Sequence, residues 1–179
     1  MEQYFWKTVT RLGQWPWILI WPLALHFLPL WTGIWLSYPT LWDDPYAIVL
    51  LVAIFMSYSW WSVVKFLFYK PRPIPQPFKN WLEKIDASSF PSIHTANATV
   101  VGLIRSWWWH QSIMAWGDRF LIIPILVGVV GVCSAIALSR IELKKHYPID
   151  VLAGLLFGVL IVALLGIAYW YGLLYWWYV

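Results

Sequence analysis

The sequence predicts an all-α protein, a polytopic transmembrane helical bundle of five to six spans with one interfacial amphipathic helix. Residues of the set AVILMFWYC make up 61% of the 179-residue chain, and charged residues only 11%. Soluble domains contain about 45–50% apolar and about 25% charged residues. The apolar residues also gather in long runs, and a transmembrane helix needs about 20 of them. We therefore expect a single membrane domain over residues 1–179 and exclude a soluble or disordered chain.

Five apolar runs are long enough to cross a bilayer as helices. They cover residues 15–36, 46–69, 93–109, 120–138 and 148–177. Their length favours helices, because the strands of a membrane β-barrel alternate over about 10 residues. The first run contains Pro16, Pro22 and Pro29, and proline kinks or breaks a helix. This run is either one kinked span or two short membrane-dipping pieces, so its topology is left open.

Two short segments have the composition of helices that lie on a membrane surface. Residues 1–14 combine aromatic residues with Lys7 and Arg11, which suits the headgroup region. In residues 78–85 apolar residues recur at i, i+3, i+4 and i+7, the spacing of one helix face. The second segment is either an interfacial helix that attracts anionic lipid or an ordinary amphipathic connector.

The net charge of +4 indicates anionic lipid or phosphate as a partner of a membrane protein, rather than nucleic acid. Cys133 is the single cysteine, which excludes an internal disulfide. No His, Cys and carboxylate residues have metal-site spacing, so neither a metal nor another cofactor is expected. Gly154 and Gly158 have a small-x-x-x-small spacing that predicts close helix packing.

Polar residues gather at the ends of three of these runs. Counting the crossings places the connections after the second and fourth runs on the same side of the membrane, so residues 70–92 and 139–148 should meet. The residues expected to converge there are Lys65, Arg72, Ser92, His94, Arg140, His146 and Asp150. Ionisable groups beside a span are costly and mark functional sites. The basic residues interpreted instead as interfacial anchors are Lys70, Lys79, Lys84, Arg105, Arg119, Lys144 and Lys145.

The cations of this set match the charge of a phosphate group. Lys65, Arg72 and Arg140 supply three positive charges, and arginine offers a planar fork to two oxygens. Ser92 stands where the third helix is expected to begin, so its hydroxyl and free backbone N–H groups can hold an anion.

The two histidines suit the proton and phosphoryl transfers of phosphate chemistry. His146 and Asp150 are four residues apart, so a helix that began before His146 would let the carboxylate fix the imidazole. His94 is a second imidazole for acid–base work near neutral pH. Phosphoryl transfer can proceed by positioning and electrostatics alone, with cations in place of a metal.

Three segments together resemble the motifs of the type-2 phosphatidate phosphatase superfamily, a family of membrane lipid phosphatases. The first motif, K-x6-R-P, matches residues 65–73 (KFLFYKPRP). The second, P-S-G-H, matches residues 91–94 with Ile93 in the glycine position. The third, S-R-x5-H-x3-D, matches residues 139–150. The resemblance spans residues 65–150, about half of the chain.

The resemblance implies a role for each matching residue. His146 would be the nucleophile that forms a phosphohistidine, Asp150 would orient it, and His94 would protonate the leaving oxygen and then help to activate water. The residues that would hold the phosphate oxygens are Lys65, Arg72, Ser92 and Arg140. The positions of possible support are Pro73, Ser139 and Ile93. The family needs no metal, and the branched side chain of Ile93 would narrow the pocket.

The resemblance therefore implies a metal-independent membrane phosphatase that acts on a phosphomonoester or pyrophosphate of a lipid. The candidate substrates are undecaprenyl pyrophosphate, phosphatidylglycerol phosphate, phosphatidate and lipid A phosphate. One alternative is a lipid phosphotransferase of the same family. The other is a non-enzymatic anion or lipid transporter, although the later spans show neither the paired halves nor the broken mid-membrane helices of many transporters.

The orientation in the membrane is predicted from two opposing arguments. Eight of the 12 basic residues fall on the side of the expected site, which by the positive-inside rule would be cytoplasmic. At least three of these eight are explained by phosphate binding, and bacterial relatives usually carry the site outside. We expect the bacterial inner membrane, with the site on the extracytoplasmic side. The sequence gives no sign of the oligomeric state.

Overall fold

The computed structural model describes residues 2–12, 45–116 and 122–171, and most of these residues are helical. The helices are α1 (Glu2–Leu12), α2 (Pro45–Leu67), α3 (Trp81–Ala87), α4 (Ile93–Trp116), α5 (Ile122–Glu142) and α6 (Pro148–Trp170). Within these three ranges the only β contact is an isolated bridge between Pro71 and Ser88. The all-α prediction is confirmed for the described residues. The first apolar run, residues 15–36, lies outside them.

The core is formed where α2, α4 and α6 pack together. Its buried apolar side chains are Val49, Leu50, Ala53, Ile54, Val100, Ile104, Ile161 and Leu165. Helix α4 is central, because it contacts α2, α5 and α6. This helix begins at the second motif, so the core fixes the position of that motif.

Helices α4 and α6 approach closely at the two glycines that the sequence singled out. A Cβ atom on Gly154 would lie 2.5 Å from the carbonyl oxygen of Ser92, and one on Gly158 would lie 2.8 Å from that of Ala96. The predicted close packing is confirmed. The backbone N–H of Ser92 also donates to the carbonyl oxygen of Asp150 (3.0 Å). The second and third motifs are therefore joined backbone to backbone.

Among the residues that the structure describes, two helical segments are long and apolar enough to cross a membrane, Ile48–Leu67 and Pro148–Trp170. Both present large apolar side chains outward, among them Phe55 and Leu156, which are 73% and 58% exposed. Helix α5 does the same with Val127, which is 66% exposed. Extended apolar surfaces of this kind are rare on soluble monomers and fit contact with lipid. The count of five to six spans stays a prediction.

Both predicted amphipathic segments contain helices. The side chain of Asn80 accepts a hydrogen bond from the backbone N–H of Glu83 (2.9 Å), so it caps α3. The helix consequently begins at Trp81, three residues later than predicted, and Phe78 precedes it. The side chains of Phe78, Trp81 and Leu82 are exposed, as expected of a helix at a membrane surface. Helix α1 packs against α5.

Candidate active site

A turn at the end of α5 places His146 next to Arg140. Lys144 has a left-handed backbone conformation (φ 51°). Its N–H donates to the carbonyl oxygen of Ile141 (2.8 Å), and the N–H of Lys145 donates to that of Arg140 (3.0 Å), which together form a Schellman motif. The N–H of His146 reaches the same Arg140 oxygen (3.1 Å). Glycine is the usual residue at the left-handed position, so the sequence did not signal this turn.

The ring of His146 is held by a backbone carbonyl. His146 is 2% exposed, and its Nδ1 atom lies 2.5 Å from the carbonyl oxygen of Ser89. Because a carbonyl can only accept, this contact assigns the proton of the neutral ring to Nδ1. The lone pair is then on Nε2, which is the nitrogen available to attack an electrophile.

Three cations act on the His146 ring together. Burial is the largest cause that lowers the pKa of His146, and the positive charges of Arg140, Lys65 and Arg72 add to it. The hydrogen bond to Ser89 raises the pKa, but the other effects are larger, and the pKa of His146 falls to about 2. The imidazole is therefore neutral at physiological pH and has a free lone pair.

The carboxylate of Asp150 bonds to groups other than His146. The predicted i, i+4 relation fails because α6 begins at Pro148, so His146 precedes the helix. Asp150 is fully buried and accepts a hydrogen bond from the N–H of Tyr147 (3.0 Å). Its other oxygen forms an ion pair with Nζ of Lys70 (2.5 Å). Asp150 thus fastens the turn that carries His146, rather than the imidazole itself.

Lys70, which the sequence suggests is an interfacial anchor, instead lies against the residues of the third motif. Besides Asp150, its ammonium lies over the ring of Tyr147 at 4.6 Å and over that of Phe90 at 5.9 Å, distances typical of cation–π contacts. The partner carboxylate is 80 residues away in the chain. Arg105, assigned to the same class of anchors, is also buried (6% exposed).

Two of the predicted phosphate-binding cations, Lys65 and Arg72, are buried at the end of α2 and just beyond it. Nζ of Lys65 donates to the carbonyl oxygen of Ser88 (2.7 Å). Arg72 donates to the side chain of Gln76 (2.5 Å) and to the backbone carbonyl of Asp86. Both cations are therefore held by the segment between α2 and α4.

Arg140, the third cation, reaches a different element. It is 5% exposed, and its Nη1 atom donates to the hydroxyl of Thr10 in α1 (2.6 Å). The Nε atoms of Arg140 and Arg72 are buried and have no hydrogen-bond partner among the described residues. Each guanidinium therefore keeps a donor that an anion can use.

Ser92 and the other second-motif residues lie at the start of α4. The hydroxyl of Ser92 is 3.0 Å from that of Thr95, and Ser92 is fully buried. His94 and Ile93 are half-buried. Ile93 is the first residue of the helix.

The remaining predicted support residues have structural contacts. Ser139 is fully buried and its hydroxyl donates to the carbonyl oxygen of Ile136 (2.6 Å), within its own helix. Pro73 is half-buried beside Arg72. Neither Ser139 nor Pro73 has a contact that points to a direct role with phosphate.

A cavity of about 760 Å³ opens at this end of the bundle. The predicted site residues on its wall are Arg72, His94 and Arg140. Ile93, which was expected to narrow the pocket, is not among the described residues that line it. Helix α1 supplies part of the wall through Trp6 and Thr10, a role that its sequence pattern did not indicate. In the described part of the chain, no three His, Cys, Asp or Glu residues are grouped to hold a metal.

The sequence matches the profile of the PAP2 superfamily over residues 46–175. The chain belongs to the PAP2 superfamily. All three motif segments lie inside the matched range, so the resemblance predicted from them is confirmed. No curated protein matches the sequence.

The PAP2 fold is also supported by a solved structure. The chain is similar to the crystal structure of the first transmembrane PAP2 type phosphatidylglycerolphosphate phosphatase from Bacillus subtilis, with a TM-score of 0.66 and 21% sequence identity. The match covers 92% of this chain and 74% of that one. At this identity the likeness shows a shared fold. Together with the two apolar helices, the PAP2 fold supports an integral membrane protein.

Proposed function

We propose that this PAP2 protein is an integral membrane phosphatase that hydrolyses a phosphomonoester or diphosphate of a lipid through a phosphohistidine on His146. The contact between Nδ1 of His146 and the carbonyl oxygen of Ser89 is the observation that carries the proposal. It leaves the lone pair on Nε2, in a ring whose pKa is lowered to about 2. A neutral, oriented imidazole surrounded by cations suits nucleophilic attack on a phosphate anion.

In the first step, Nε2 of His146 attacks phosphorus and the bond from phosphorus to the leaving oxygen breaks. His94, half-buried on the cavity wall, passes to that oxygen the proton that the substrate brings as a phosphate monoanion, so a lipid alcohol or lipid phosphate departs. Lys65, Arg72 and Arg140 offset the charge on the transferring oxygens. Their positive charges serve in this step in the place of a metal.

In the second step, a water molecule loses a proton to neutral His94 and its oxygen attacks phosphorus. The N–P bond breaks, and the departing inorganic phosphate takes the proton from His94, so both histidines return to their neutral state. Asp150 contributes indirectly, because its bonds to Lys70 and Tyr147 hold the turn that carries His146.

A lipid substrate agrees with the surface around the site. Phe78, Trp81 and Leu82 are exposed on the segment that also holds Arg72 by way of Asp86. A headgroup can therefore enter the cavity while its acyl chains stay in the bilayer. Phosphatidylglycerolphosphate, the substrate named for the Bacillus subtilis protein, is one candidate beside undecaprenyl pyrophosphate, phosphatidate and lipid A phosphate. The proposal includes five to six spans in a bacterial inner membrane, with the site on the extracytoplasmic side.

Phosphate release from these four lipids by the purified protein, in detergent with EDTA, tests the proposal. We expect release to survive EDTA and to fall at least about a thousandfold in His146→Ala, the usual scale for loss of a nucleophile. His110→Ala is the matched control, because His110 is exposed elsewhere on α4. Unaltered release in His146→Ala would refute the proposed nucleophile. A phosphotransferase would instead pass radiolabelled phosphate to an added lipid acceptor, which thin-layer chromatography detects.

A further inference from the structure

Helix α1 contacts the phosphate-binding end of α5 through a buried side chain. Thr10 is 6% exposed, and its hydroxyl oxygen accepts from Nη1 of Arg140, 130 residues later. Thr8, on the same helix, is exposed and donates to the carbonyl oxygen of Tyr4 (3.0 Å). The Thr10 oxygen faces a cation, so its own proton can be donated to a further acceptor.

Trp6 lies one helical turn before Thr10 and lines the same cavity. Its indole N–H is buried and has no hydrogen-bond partner among the described residues. Buried donors without an acceptor are rare, and each calls for an explanation. With Nε of Arg72 and of Arg140, three unpartnered donors belong to residues on the wall of one cavity. An acceptor-rich ligand would satisfy them.

The charge and size of the cavity exceed the needs of a single phosphate. Among the described residues, the cations that line it are Lys7, Arg11, Arg72, Arg140, Lys144 and Lys145, and the carboxylates are Asp86 and Glu142. A phosphomonoester carries at most two negative charges, so positive charge would remain after it binds. The volume of about 760 Å³ is in the range of sites for whole small molecules.

We propose that α1 forms one wall of the substrate site and selects lipids with two anionic groups in the headgroup. Trp6 and Thr10 donate to headgroup oxygens, while Lys7 and Arg11 bind the anionic group that is not being hydrolysed. The substrate class is a lipid diphosphate, or a phosphomonoester joined to a phosphodiester. This inference rests on the proposed phosphatase function and adds the residues that select the headgroup.

Steady-state kinetics on two lipids tests the wall. We compare short-chain phosphatidate, with one phosphate, and the matching diacylglycerol diphosphate, with two. The double variant Lys7→Gln/Arg11→Gln should raise KM about tenfold for the diphosphate and less than about twofold for phosphatidate, since a charged hydrogen bond is worth about tenfold in affinity. Equal effects on the two lipids would overturn the role of the α1 cations.

Thr10 and Trp6 are tested by changes that remove a side-chain hydrogen-bond donor. Thr10→Val and Trp6→Phe should each raise KM for both lipids about tenfold, by the same measure. Thr10→Ser retains the hydroxyl and should restore KM, and Thr8→Val, on the exposed face, should stay within about twofold of the wild type. If Thr10→Ser raises KM as much as Thr10→Val does, Thr10 acts through packing, and its proposed hydrogen bond to the headgroup is wrong.

A binding experiment separates this inference from the proposed reaction. Inorganic phosphate and inorganic pyrophosphate are titrated calorimetrically into the detergent-solubilised protein. Pyrophosphate should bind about tenfold more tightly, and the Lys7→Gln/Arg11→Gln variant should lose that preference. If the wild type binds both anions in this way but hydrolyses no lipid, the proposed function fails while the anion site stands. If the wild type and the variant bind pyrophosphate with the same affinity, Lys7 and Arg11 do not form the second anion site.

Discussion

Nδ1 of His146 lies 2.5 Å from the carbonyl oxygen of Ser89, and this contact joins two loops that are 57 residues apart in the chain. The acceptor is a backbone atom, so the tautomer of the proposed nucleophile is set by the path of the chain after α3. A carboxylate partner would favour a charged imidazolium. A neutral carbonyl, in a buried and cationic environment, leaves the ring uncharged.

Because of His146, the free energy of unfolding should decrease as the pH is lowered. The pKa of the folded ring, about 2, is below the ordinary value of about 6.5, so below pH 6.5 the unfolded chain takes up a proton that the folded protein does not. Stability is present above about pH 6.5 and is lost as pH falls, at up to about 1.4 kcal/mol per unit. Between pH 6.5 and 5, His146→Gln should lose about 2 kcal/mol less than the wild type. Reversible denaturation in detergent measures this difference, and parallel pH slopes would contradict it.

Lys70 should be needed to keep Asp150 in place. Lys70→Met leaves a fully buried carboxylate without its ion partner, which should cost about 1–3 kcal/mol of stability. Because the turn carrying His146 is then less well held, we expect kcat to fall about tenfold with little change in KM. Lys70→Arg should retain much of the stability and of the kcat that Lys70→Met loses. Lys79→Met, at an exposed lysine, is the matched control, and equal behaviour of the two Met variants would contradict the role of Lys70.

Gly154 should tolerate no side chain. In Gly154→Ala the new Cβ would lie 2.5 Å from the carbonyl oxygen of Ser92, so α4 and α6 must separate, at a cost of about 1–3 kcal/mol. Gly166→Ala gains the same helix propensity, but no atom lies within 4 Å of its Cβ. Thermal unfolding and phosphate release should both be impaired in the first variant and unchanged or slightly improved in the second. If the two variants unfold alike, the close approach of the helices is not required.

Ile93, the departure from the family motif, should have little influence on substrate choice. It is absent from the described cavity wall, so Ile93→Gly should change the ratios of kcat/KM among lipid phosphates less than about twofold. Glycine has a lower helix propensity than isoleucine, by up to about 1 kcal/mol, so this variant should be modestly less stable than the wild type. The lipid panel used above measures the ratios. A selective rise in kcat/KM for lipids with bulky headgroups would instead support the expectation that Ile93 narrows the pocket.

Much of the fold was accessible from the sequence, because apolar length predicts membrane helices. The runs 46–69, 93–109, 120–138 and 148–177 each correspond to a helix. Residues 93 and 148, where two of these runs begin, are also the first residues of α4 and α6. The small-residue spacing of Gly154 and Gly158 correctly predicted a close helix contact. Counting crossings also predicted that the loops after α2 and α5 meet, as the contact of Ser89 with His146 shows.

The partners within the site could not be predicted, because they depend on tertiary geometry. Every residue has a carbonyl, so nothing in the sequence marks that of Ser89 as the acceptor for His146. Lys70 resembles any lysine at a span end until its carboxylate partner is brought near. Pro148 is a recognisable first residue of a helix, and it already implied that His146 precedes α6. The four-residue spacing of His146 and Asp150 predicts a contact only for a helix that begins before His146.

The backbone hydrogen bond between Ser92 and Asp150 divides the protein into parts that differ in how freely they can be engineered. The starts of α4 and α6 meet there, and their backbones are too close to accept larger side chains. Helix α1 and the segment that carries Gln76 and Asp86 line the cavity outside this rigid junction. Libraries meant to redirect the enzyme toward new headgroups should therefore diversify those outer elements and keep the inner pair as a constant scaffold.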